Sequence, residues 1–192
     1  YREHTLTDKE EKLLAASGEM SRAARDGFDM LDNADLQLGE IEDESGEPLT
    51  LTHGNFQSLM QNYDRRMRKD AFHTYYKAYE SHRFTYSTLL SSSVKKDLFY
   101  SRSRNYSGYR AKALFSENIS EEVYDNLIES VHQNLKPLYK YFEIRKKLLG
   151  LDELHAYDCS VPLVKNIKWH MPYEEAVEKI KIALQPLGAE YN

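Results

Sequence analysis

The chain holds 192 residues, of which 41% are apolar and 30% charged, with a net charge of −5 at neutral pH. That length can bury a core without disulfides or metals, and the composition is not that of a disordered polypeptide. No run approaches the ~18 apolar residues of a membrane-spanning helix, and a single cysteine, Cys159, excludes an internal disulfide framework and a cysteine-based zinc ribbon.

Glycine and proline are scarce, at 8 and 5, which favours long helices. Thr7-Asp8-Lys9-Glu10 carries the reciprocal capping pattern before Leu13 and Leu14, and predicts a helix running to about Arg25. A short helix is expected around Gly27–Asn33. Leu36–Glu42 and Pro48–Leu51 flank an acidic, Gly-containing loop, so residues 36–51 are read as a small β-hairpin. Thr52 caps a helix near Gly54–Asn62, and Asp64 caps the longest one. From Arg65 to about Arg104 there is no Gly or Pro, and apolar or aromatic residues recur at helical spacing, with gaps at His82 and Ser93. A rod of about 40 residues would span roughly 60 Å. It would serve as the scaffold of something larger, or kink near Ser91-Ser92-Ser93. Tyr106–Phe115 reads as a short helix. Ser120 opens another, which Pro137 kinks or breaks, and Leu138–Leu149 resumes until Gly150. Leu151–Val164 reads as irregular, and Tyr173–Leu184 as a final helix after Pro172.

Charge is unevenly spread: residues 1–63 carry −9, residues 64–112 carry +8 and residues 113–192 carry −4. The basic stretch also holds Tyr75, Tyr76, Tyr79, Tyr86, Tyr100, Tyr106 and Tyr109. Bases interleaved with aromatics serve single-stranded nucleic acid. A buried tyrosine stripe with a solvated basic back gives the same pattern and is the stronger reading, because no nucleic-acid motif accompanies it.

Catalytic patterns are sparse. The seven histidines, His4, His53, His73, His82, His132, His155 and His170, include no i, i+4 pair and no HExxH. The segment from Asp152 to Asp158, with Glu153 and His155, combines carboxylates and an imidazole, yet reads as solvated loop. Cys159, beside Val161, reads as a core filler. Every glycine is isolated, so no phosphate loop exists. Glu121-Glu122 and Glu174-Glu175 sit in first helical turns, where they offset the partial positive charge of the helix N-terminus. The residues alone describe a mainly α chain, a helical piece of a larger protein.

Several ordered segments resemble oligoendopeptidase F. They are His4–Ala15, Leu31–Leu36 followed by Leu51–Phe56, Asp64–Phe72, Val94–Tyr100, and above all Val123–Glu129 running on to Arg145–His155. The likeness covers nearly the whole chain. It implies membership of the thimet oligopeptidase-like zinc peptidases, mainly α proteins of the neurolysin type. Two helical lobes enclose a deep channel that admits peptides and excludes folded proteins. The resemblance further implies a zinc ion held by the two histidines of HExxH and a downstream glutamate, with the motif's own glutamate as general base. None of those residues can be carried over, since these segments correspond to a region upstream of HExxH. The chain departs from the family pattern at Tyr106–Phe115, where an acidic residue is expected near the position of Arg110.

The expectation is therefore a single helical fragment over 1–192, without the catalytic zinc region, in the channel wall of a cytoplasmic zinc metalloendopeptidase. It starts at Tyr1 without a basic-then-apolar leader and ends at Asn192 without helix-stop signals, both expected of a piece of a longer polypeptide. No catalytic or metal residue and no assigned substrate contact is expected in it. Zinc is expected in the parent and not in this chain, which alone should be inactive. Expected partners are the remainder of the peptidase chain, short peptides and, for the isolated fragment, itself; no membrane is expected. The alternative is a free-standing helical module whose basic, aromatic middle third binds nucleic acid or an acidic partner.

Overall fold

Helix-forming signals dominate the sequence, and the computed structural model, which describes residues 2–164 and 171–188, is mainly α with one two-stranded sheet among the described residues. The chain divides into two compact units, residues 1–161 and 162–192.

Helix α1 (Asp8–Ala16) starts as its capping pattern requires. The Thr7 amide and hydroxyl donate to the Glu10 carboxylate at 2.9 and 2.6 Å. It stops well short of Arg25. The Ser17 hydroxyl donates to the Leu14 carbonyl at 2.7 Å, and Gly18 follows. A hydroxyl that competes for the backbone, next to a poor helix former, ends the helix there. A 3₁₀ turn at Met20–Arg22 leads into α2 (Ala23–Met30), which continues as a π-helical turn over Leu31–Asp35.

The hairpin lies within the predicted segment. Strands β1 (Glu40–Glu42) and β2 (Pro48–Thr50) pair antiparallel, with Ile41 opposite Leu49. Asp43 Oδ1 accepts the amides of Ser45 and Glu47 at 2.7 and 3.0 Å, which closes the loop. Helix α3 (His53–Met60) begins at Thr52, whose Oγ1 accepts the Asn55 amide at 3.1 Å.

The single rod expected over residues 65–104 is two helices, α4 (Arg65–Ser81) and α5 (Arg83–Ser103). The break falls at His82, and Ser91-Ser92-Ser93 stays helical. The reason is local. The Ser81 hydroxyl donates to the Ala78 carbonyl at 2.6 Å, and His82 Nδ1 lies 3.1 Å from the same oxygen. That carbonyl is the acceptor a continuing helix would offer the His82 amide, which instead donates to Tyr79 at 3.0 Å.

Helix α6 (Tyr109–Phe115) precedes α7 (Glu121–Gln133), where the Ser120 hydroxyl accepts the Val123 amide. Helix α8 (Leu135–Leu149) takes Pro137 into its first turn, where a missing N–H costs nothing, so the break falls at Asn134. Gly150 ends α8 at φ +66°, and the Leu151 amide donates back to Lys146 at 3.1 Å. In the second unit, α9 (Tyr173–Leu184) carries Glu174 and Glu175 in its first turn.

The core of the first unit gathers the hairpin, α3 and α4: Leu36, Leu38, Ile41, Leu51, Leu59, Met60, Met67 and Ala71, with Tyr157 from the segment after α8. Helix α2 packs on α5, where a side chain at Gly27 would stand 3.2 Å from Leu89 Cδ2.

Candidate functional site

The solvated-loop reading of residues 152–158 fails at Asp158, which is fully buried. Its carboxylate accepts Arg68 Nη2 at 2.8 Å and Arg65 Nε and Nη2 at 3.1 and 2.9 Å, plus the His155 amide at 3.1 Å. Arg145, also buried, donates Nε to the Asp158 carbonyl at 2.9 Å and Nη2 to the Val161 carbonyl. Burial pushes the Asp158 carboxyl up, but the Arg65 and Arg68 guanidinium groups and the His155 amide outweigh it and hold it at about 2. Each carboxylate oxygen is occupied by two donors, so the cluster ties α4 and α8 to residues 153–161 rather than offering a reactive group. Cys159 is exposed, contrary to its reading as a core filler, and Val161 is the buried neighbour.

A second constellation forms around Asp32. The π turn presents its carboxylate to α4 and α5, where Tyr79 and Tyr86 donate to Oδ1 at 2.9 and 3.3 Å. The Tyr75 hydroxyl lies 3.4 Å from that of Tyr79 and 2.9 Å from His53 Nδ1, while His53 Nε2 lies 3.1 Å from the Asp32 carbonyl. Burial, then hydrogen bonding to Tyr75 and Asp32, drives the Tyr79 hydroxyl far above its ordinary value; burial and the Asp32 charge raise Tyr86. Both phenols thus stay protonated as donors. A cavity of about 370 Å³ borders Asp32, Gly39, Thr52 and His53. The tyrosine stripe is legible in the sequence. Asp32 and His53 as its partners are not, because both lie more than 20 residues away along the chain.

Several arginines of the basic stretch are matched by acids from elsewhere. Arg104 forms a paired bond to the Glu11 carboxylate at 2.7 and 2.8 Å. Arg110 bridges α6 to α7 through Glu121 at 2.5 Å and Asp125 at 2.7 Å. Arg66 reaches Asp70 and the hairpin carbonyls of Glu42 and Asp43. The +8 segment is interleaved in space with acids of the flanking segments, which weakens the nucleic-acid reading.

Among the described residues no group of three or more His, Cys, Asp or Glu side chains could hold a metal ion. His4 stacks on Tyr106 at 3.6 Å and His155 on Tyr157 at 5.0 Å, while His53 and His82 serve the contacts above. His170 lies outside the described residues. A catalytic zinc needs three protein ligands, and the described residues bring no such set together.

Comparison with known proteins gives a consistent picture. Residues 58–188 match the profile of Peptidase family M3, and residues 1–37 match that of Oligopeptidase F. The chain is 43% identical to Oligopeptidase PepF of Bacillus subtilis over 190 residues, 99% of this chain and 28% of that protein. It is 41% identical to an oligoendopeptidase F homolog of Lactococcus lactis subsp. lactis, over 98% of this chain and 31% of that protein. The crystal structure of oligoendopeptidase-F from Enterococcus faecium superposes with a TM-score of 0.83 at 40% identity, covering 99% of this chain and 36% of that one. The chain thus spans about a third of the length of these relatives.

Proposed function

Because the chain belongs to peptidase family M3, we propose that it is a non-catalytic helical portion of a cytoplasmic, zinc-dependent oligoendopeptidase, one stretch of the channel wall along which short peptides lie. The observation that carries this reading is the mismatch of coverage: almost all of this chain aligns with 28% of the Bacillus subtilis relative. The parent would hold zinc through donors outside these residues, where the ion would supply an activated water for peptide hydrolysis. This stretch contributes rigid helices fastened by the Asp158 and Asp32 clusters, and a surface for peptide.

The test uses the chain and its full-length parent side by side, with a fluorogenic peptide. The parent should cleave it in a chelator-sensitive manner. The 192-residue chain should neither cleave it nor retain stoichiometric zinc after dialysis. Chelator-sensitive cleavage by the chain alone would overturn the proposal.

A further inference from the structure

Where the turn after α1 meets the C-terminal half of α5, the fold leaves a groove of about 340 Å³. Its lining is apolar at Met20 and Phe99, which are 76% and 52% exposed. The same groove carries a polar cluster: the Tyr100 hydroxyl meets Ser17 Oγ at 2.7 Å, and Lys95 and Lys96 line the wall. Lys96 Nζ keeps one carboxylate contact, to Asp97 at 3.0 Å. Hydrogen bonds to Ser17 and Ser21, then the charges of Lys96 and Lys112, pull the Tyr100 hydroxyl below its ordinary value. The groove therefore pairs an apolar lining with a cationic field that favours negative charge.

We propose that this groove binds the carboxyl-terminal end of a peptide, with its last apolar side chain between Met20 and Phe99 and its carboxylate against Lys95 and Lys96. The inference rests on the peptidase reading above and names a subsite for it. Charge complementarity selects the occupant. The interior backbone of a peptide brings no charge to the lysines, and an amino terminus brings the wrong one. The volume lies at the lower end of ligand pockets, about 300–1,000 Å³, which suits a chain end rather than a folded partner. Ammonium donors on a carboxylate form the stronger, charge-assisted class of hydrogen bond.

The experiment titrates the 192-residue chain into a fluorophore-labelled hexapeptide ending in Phe, prepared as the free acid and as the C-terminal amide, with anisotropy as the readout. The acid should bind roughly tenfold more tightly than the amide. That advantage should shrink as salt is raised, and Lys95→Gln with Lys96→Gln should abolish it. Equal affinity for acid and amide, no binding of either, or an acid preference that survives the double substitution would each overturn the proposal. The comparison of acid with amide on the unsubstituted chain needs no variant to fold. Cleavage of both hexapeptides by the full-length parent separates the two claims. Chelator-sensitive cleavage without acid preference sinks the subsite alone, and absence of cleavage sinks the peptidase reading.

Discussion

Asp158 gathers three guanidinium groups from α4 and α8 onto one buried residue, so its effects are those of an ion cluster and not of a surface pair. Asp158→Asn should cost about 3–5 kcal/mol in denaturant unfolding, because it leaves Arg68 buried opposite a neutral group. The carboxyl sits near 2 against an ordinary 3.8. A depressed carboxyl stabilises fully above its unfolded value and loses that contribution as pH falls through the folded one. About 2 kcal/mol should therefore disappear between roughly pH 4 and pH 2, and the Asn variant should lack this component. The phenols predict the opposite limb. Tyr79 and Tyr86 are raised from 10.0, so their contribution is complete below that value and declines as pH rises beyond it. In an ultraviolet titration Tyr100 should ionise before Tyr79, and Tyr79→Phe should cost about 1 kcal/mol, with Asp32 losing one donor. A titration in which Tyr79→Phe removes the first phenolate to appear would contradict this.

Among the elements, capping was legible and helix length was not. Thr7, Thr52, Asp64, Ser120 and Gly150 all mark boundaries where local chemistry alone predicts them. The ends of α1 and α4 depend instead on hydroxyl and imidazole groups competing for one carbonyl, a choice that an apolar repeat does not reveal. Two glycines allow a graded check. Gly150 sits at φ +66° in open space, with nothing within 4 Å of where an added methyl would stand. At Gly39, φ +88°, the same methyl would stand 2.9 Å from Thr74 Cγ2 on α4. Gly150→Ala should cost about 1 kcal/mol for the left-handed backbone alone. Gly39→Ala should cost more, since the β-branched Thr74 is stiff and the hairpin must move. Thermal melts of the two variants read the ranking, and equal melting temperatures would refute it.

For the whole molecule, the informative surface is that of α7. Val123, Leu127 and Val131 recur at i, i+4 and i+8 with 59%, 63% and 52% exposure, and Tyr124 and Ile128 are exposed beside them. Such a contiguous apolar stripe marks an interaction face. It agrees with a chain that spans about a third of its relatives' length. The isolated chain should self-associate and bind an apolar dye. Leu127→Glu with Val131→Glu should lower both in sedimentation and dye titrations without lowering the melting temperature. A strictly monomeric chain at high concentration would remove the argument.

The sequence by itself determined the helical class, the hairpin segment, most helix starts and the family, because these rest on local chemistry and on ordered motifs. It also marked Tyr75, Tyr79 and Tyr86 as one stripe through their helical spacing. Only the tertiary structure decided that Asp158 is buried, that Cys159 is not, that Asp32 and His53 complete the tyrosine cluster, and that Arg104 and Arg110 are matched by Glu11, Glu121 and Asp125. The reason is range. A cap or a turn is settled within about four residues, whereas Arg68 and Asp158 stand 90 residues apart and meet only when α4 and the segment after α8 share a core.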